Sequence, residues 1–170
     1  MFVGESRSPF FPAITMPHLA GLELPKIRRV TIEQPKEDPL DDLEGRVREA
    51  LKGCKKLQSL SSGNRVAIAV GSRGIAEICK VVKTVVDYLK QEALYPFIVP
   101  AMGSHGGGTA EGQMNVLRKL GIDEENMGCE VRSSMETVDY GPISPGIRCH
   151  FGENAAHSDG IILINRVKAH

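Results

Sequence analysis

The sequence has no excess of charge of either sign, with 21 Lys and Arg against 21 Asp and Glu in 170 residues. A nucleic-acid partner is not expected on charge grounds. No apolar run approaches the ~20 residues needed to cross a bilayer, so no membrane partner is expected either. The N-terminus lacks a basic segment leading into an apolar core, and Gly4, Pro9, Pro12 and Pro17 interrupt it, which argues against a signal peptide. Cys54, Cys79, Cys129 and Cys149 are far apart and show none of the CxxC spacings of zinc or redox sites, as in a cytoplasmic protein with reduced thiols. No two histidines stand four apart, and no serine sits in a GxSxG setting, so zinc and hydrolase readings fall away. Internal repeats and low-complexity segments are lacking too.

What remains is ordinary globular composition, 41% hydrophobic and 25% charged. A chain of this length can bury roughly 70% of its unfolded surface. Residues 1–26 carry Pro9, Pro12, Pro17 and Pro25, which suits an extended arm, either packed on a neighbour through Phe2, Phe10, Phe11 and Leu19 or poorly ordered. The domain proper is expected over 27–170, beginning with an edge strand over 27–33 that Pro35 stops.

Leu40, Leu43, Val47, Ala50 and Leu51 recur at helical spacing behind Asp41 and Asp42, and Gly53 stops them. Residues 66–70 form a nearly all-apolar strand of the kind buried on both faces of a parallel sheet. Ile75, Ile78, Val82, Val85, Val86 and Leu89 mark a second helix, residues 97–99 a second strand, and Met114, Leu117 and Leu120 a third helix ending at Gly121. A helical turn over 124–127, a short strand over 129–132, a hairpin around Pro145 and Gly146, a turn at Ala155 and Ala156 and a last buried strand over 161–164 complete the pattern. The alternation implies an α/β fold, a Rossmann-like open, mostly parallel sheet with flanking helices.

Three strand ends lead into polar loops: GSRG from Gly71, GSHGGG from Gly103 and NRVKAH from Asn165. Ligands bind in the crevice outside the carboxyl ends of such strands. In the first loop Gly71, Ser72 and Arg73 would suit a carboxylate or phosphate, because the guanidinium is a two-pronged donor; a tight turn with Arg73 paired locally is the plain alternative. In the second, the lysine followed by Ser or Thr of a phosphate loop is missing, and Gly106, Gly107 and Gly108 could be a simple connector. His105 is harder to dismiss, because a histidine on a glycine loop belongs to neither core nor helix surface, and imidazole titrates near neutrality. His170 ends a basic loop with Arg166 and Lys168. His18, His150 and His157 read as surface or structural residues.

The strings PFIVPAMGSHGGGTAEGQ, LGI, VRSSMETVDYG and DGIILINRVKAH, taken together over residues 64–170, resemble the N-terminal domain of the nickel-dependent lactate racemase family. That resemblance implies a two-domain α/β isomerase, a racemase or epimerase of 2-hydroxy acids. Its cofactor would be a nickel-pincer nucleotide, a pyridinium mononucleotide whose nickel is held by sulfur and carbon. It implies His105 and His170 as the two acid/base histidines, with Arg73 holding anionic groups. Racemisation needs an acid/base on each side of the stereocentre, which two histidines from different strand ends can supply.

The lactate racemases carry an acidic residue just before the arginine where this chain has Ser72, which points to a substrate other than lactate. The family continues past its second histidine into a Gly-rich segment with the cofactor-tethering lysine and a nickel-ligating histidine. The chain therefore resembles the front part of such an enzyme, incomplete relative to the two-domain form. The isolated chain is expected to lack covalent cofactor and racemase turnover. A non-catalytic nucleotide- or anion-binding module is the competing reading, and assembly into a homo-oligomer stays open.

Overall fold

The computed structural model describes residues 38–72 and 74–166, together with Pro17, residues 20–23, Lys26 and residues 28–31. The chain divides into two units, Met1–Asp38 and Pro39–His170. In the first, the Ala20 N–H donates to the Pro17 carbonyl at 3.2 Å. Residues 28–31 are irregular, so the edge strand expected over 27–33 is not formed there. Val30 is the one apolar side chain among Arg28, Arg29 and Thr31, and it stays exposed, which leaves no face to bury. Ile27, Ile32 and Glu33 lie outside the described residues, as does most of the expected arm over 1–26.

In the second unit the elements run α1 (Leu43–Lys52), α2 (Lys55–Gln58), β1 (Arg65–Val70), α3 (Ile78–Gln91), β2 (Tyr95–Pro100), a 3₁₀ turn (His105–Gly108), α4 (Ala110–Lys119), α5 (Glu124–Met127), β3 (Thr137–Ser144), β4 (Ile147–Gly152), α6 (Glu153–Ala156) and β5 (Gly160–Ile164). Helix α1 begins three residues later than Leu40 because Asp42 caps it, its Oδ1 accepting the Gly45 N–H at 2.8 Å. Leu40 is left outside and exposed.

The sheet is parallel, in the order β2-β1-β5, an open α/β arrangement of Rossmann-like type. Alternation along the central strand divides the core. Val66, Ile68 and Val70 pack with Val82, Val85, Val86 and Leu89 of α3 and Leu117 of α4, and each such fully buried side chain contributes about 1.5–3 kcal/mol. Ala67 and Ala69 face the other way, with Phe97, Val99 and Ala155. Central β1 is buried on both faces, as its composition predicts.

The last strand departs from expectation. Among the described residues β5 pairs with β1 alone, at the sheet edge, and on the Ala67/Ala69 side its Ile161 and Leu163 are 41% and 71% exposed, leaving Ile164 as its buried residue. On that side of the sheet the four-residue α6 packs on β1. The strand expected over 129–132 shrinks to a single parallel bridge between Val131 and Ile98. The Val131 N–H is taken by the Glu124 carboxylate at 3.0 Å.

Strands β3 and β4 form the expected antiparallel hairpin, with Ser144 paired to Ile147 across Pro145 and Gly146. The Arg148 guanidinium and the Gly141 N–H, both bonded to Asp139, hold its carboxyl below the usual range. Among the described residues, no helix is long and apolar enough to cross a membrane.

Candidate functional site

The three parallel strands end side by side, so the loops after them meet. Ala101 N–H donates to the Val70 carbonyl at 2.8 Å, tying the β2 exit to β1, and Gly71 N–H donates to the Ile164 carbonyl at 2.9 Å, tying the β1 exit to β5. The Asn165 amide fills the space beside Gly71, where a Cβ would lie 2.0 Å from its Oδ1. Arg166 follows, and its Nη1 reaches the Gly74 carbonyl at 3.4 Å. A guanidinium is thus carried from the end of β5 to the loop after β1.

The histidine loop is held at both ends. Met102 is buried below it, and the buried Gln113 of α4 donates through Nε2 to the Gly103 carbonyl at 2.8 Å. Thr109 caps α4 by accepting the Gly112 N–H at 3.1 Å, and its hydroxyl donates back to the Gly106 carbonyl at 3.1 Å. Gly106 adopts φ 66°, and a Cβ there would sit 2.4 Å from the Gly112 carbonyl carbon, so the loop backbone lies directly on the helix start. Among the described residues, Gly107 and Gly108 have nothing within 4 Å of where a Cβ would be. Their backbone is open to close approach by a ligand.

Against this frame His105 and Ser72 meet, with Ser72 Oγ 2.5 Å from His105 Nδ1 and both residues half-buried. A hydroxyl can donate or accept. When Nε2 is unprotonated the neutral ring carries its hydrogen on Nδ1, which donates to the serine oxygen, and Nδ1–H donates to it again when the ring is imidazolium. The contact therefore survives a full proton-transfer cycle, and Nε2 is left as the nitrogen that can exchange a proton with a ligand.

Of the residues singled out from sequence, Ser72 and His105 are in contact, with Gly71 beside them at the β1 exit and Gly106, Gly107 and Gly108 continuing the His105 loop. Arg73 and His170 lie outside the described residues, as do Val167, Lys168 and Ala169. Sequence reasoning gave Asn165 no role, and it missed Gln113, whose signal was a polar residue four before Leu117 on the buried stripe of α4. It noted Arg166 only as part of a basic loop.

His150 lies on the exposed face of β4 and His157 at the end of α6, remote in role from the loops. Among the described residues no group of three or more His, Cys, Asp or Glu could hold a metal ion. Comparison of the chain with protein-family models, with curated proteins and with solved structures returns no significant match.

Proposed function

We propose that this protein is a racemase- or epimerase-type isomerase domain acting on a small 2-hydroxy acid in the cytoplasm, with His105 and His170 as its acid/base pair. One observation carries the reading: an imidazole on a glycine loop, at the carboxyl end of a parallel strand, whose Nδ1 is held by Ser72 at 2.5 Å so that Nε2 is free for proton transfer.

The nickel-pincer nucleotide suggested by the sequence resemblance suits these residues at its phosphate end. Gly107 and Gly108 offer bare backbone, and the Arg166 guanidinium lies at the neighbouring loop. In the family resembled, the nucleotide's own sulfur and carbon atoms hold the nickel together with a single histidine, so a cluster of protein ligands would not be needed. When bound, that nucleotide would supply the acceptance and return of the hydride on C2 of the substrate.

The residues of the chain do the rest. Nε2 of His105 takes the 2-hydroxyl proton as the carbonyl forms and returns it as the alcohol re-forms. His170 serves the opposite enantiomer in the same way. Arg73 and Arg166 fix carboxylate or phosphate oxygens. Ser72 holds the His105 ring in one orientation while its charge changes.

The test is co-expression of the complete gene product with the enzymes that make the nucleotide. Nickel content, intact mass and chiral chromatography of a panel of 2-hydroxy acids are the readouts. Nickel loading and interconversion of at least one acid are expected, with His105→Asn lowering kcat by about 100-fold or more. No nickel, no added mass and no interconversion would leave the non-catalytic anion-binding module as the better reading, which the same bare glycine backbone would serve.

A further inference from the structure

The other end of the sheet carries a second concave site, unrelated to the proposed chemistry. Strands β1 and β2 start at Arg65 and Tyr95, paired in register, so this end is opposite to the one that leads into His105. A cavity of about 850 Å³ opens there, within the range of small-molecule sites, and Arg65, Lys90, Tyr95, Phe97, Glu130 and Arg132 line it.

Its charge is unbalanced. Phe97, one step along β2 from Pro96, is covered by two guanidiniums, with the Arg65 and Arg132 carbons 5.4 Å and 4.7 Å from its ring centroid. Glu130 neutralises Arg132 through an ion pair. Among the described residues, Arg65 and Lys90 have no carboxylate within the 4.0 Å of an ion pair, and Lys90 donates only to the Gly128 carbonyl. Cys129, also in the wall, adds no negative charge, because burial pushes its thiol up to about 11. A chain of zero net charge thus lines this concavity with two unpaired cations, Arg65 on the Phe97 face of the sheet and Lys90 on α3, where a low-dielectric surface focuses their field.

The wall is also partly flat and apolar. Tyr95 is 66% exposed, and Pro96 follows it. Guanidinium planes stack on flat rings and grip phosphate oxygens in pairs. We propose that this cavity binds a small phosphate monoester bearing a planar ring, the phosphate held by Arg65 and the ring against Tyr95, its neighbour in register on the same face of the sheet. The site is separate in place from the His105 loops, and neither reading depends on the other.

Phenyl phosphate is the probe, with inorganic phosphate as comparison, titrated into the 170-residue chain and followed by backbone amide NMR. Saturable shifts are expected at residues 63–65, 93–97 and 128–132, not at 71–72 or 103–108, with phenyl phosphate at least ~5-fold tighter than inorganic phosphate. Arg65→Gln weakens binding by ~5-fold or more, and Glu130→Gln tightens it by freeing Arg132, a gain that misfolding cannot imitate. His105→Asn leaves the affinity unchanged. Absence of saturation by ~10 mM, shifts confined to the glycine loop, equal affinity for inorganic phosphate, or no tightening in the Glu130 variant would overturn the proposal.

Discussion

Ser72 Oγ and His105 Nδ1 lie 2.5 Å apart, a single polar contact that links the exits of the central strand and its neighbour. Removing the hydroxyl leaves the half-buried Nδ1 without its partner and lets the ring choose between tautomers and orientations. Ser72→Ala is expected to change the balance of the two ring-nitrogen signals of His105 in ¹⁵N NMR. In the cofactor-loaded protein it should lower kcat by about 5- to 10-fold, the worth of one ordinary hydrogen bond. A tautomer balance identical to the parent would mean that the serine does not position the ring.

Two adjacent glycines separate backbone strain from packing. Gly106 and Gly107 both have positive φ, 66° and 71°, so alanine at either pays a left-handed cost of about 1–2 kcal/mol. Only at Gly106 would the new methyl strike backbone, at 2.4 Å from Gly112, whereas Gly107 faces open space. Gly106→Ala should therefore melt well below Gly107→Ala in thermal denaturation. Equal melting temperatures would show that the loop does not rest on α4 as described.

How far the sequence carried the reading differs by element. Central β1 and helices α1 and α3 were legible because their burial follows from composition and period alone: Val66, Ile68 and Val70 on one face, Ala67 and Ala69 on the other. Strand β5 was not, because its GIILI run looks as buried as the β1 run. Which strand becomes an edge depends on pairing order, and that order is not written locally. The loops were visible as glycine-rich strand exits, yet the meeting of Ser72 with His105 was not. Ser72 was grouped with the glycines as an anion contact, and a hydroxyl gives no sign of its partner thirty-three positions away. Gln113 was hidden for the opposite reason, since a polar residue on a buried stripe reads as a break until its bond to the Gly103 carbonyl is seen.

Helix α3 ends in a Schellman motif, with Ala93 N–H donating to the Lys90 carbonyl at 3.0 Å and Leu94 N–H to the Leu89 carbonyl at 2.9 Å. The left-handed position, usually glycine, is held by Ala93 at φ 56°. Ala93→Gly relieves the Cβ clash but gives the unfolded chain more freedom, so the net gain is about 0.5–1 kcal/mol. Differential scanning calorimetry should find the melting temperature raised by ~1–4 °C. A lower value would mean that glycine's entropy outweighs the strain.

Cys129 and Cys54 offer a paired measurement of burial. Cys54 is exposed, whereas burial pushes the Cys129 thiol from 9.0 up to about 11, with Lys90 and Lys83 opposing the rise and Glu124 and Asp87 adding to it. Thiolate is the reactive form, so iodoacetamide near neutral pH should label Cys54 first and leave Cys129 largely unmodified, as mass spectrometry of the peptides would record. Linkage gives a second readout. Between 9.0 and about 11 the folded chain holds a proton on Cys129 that the unfolded chain releases, so the stability tied to this group is present below 9.0 and is lost as pH rises through that window. Denaturant melts at about pH 8 and about pH 10.5 should show a smaller fall in stability for Cys129→Ala than for the parent, because the variant has no proton to release there. An equal fall in both would mean that the thiol is not desolvated.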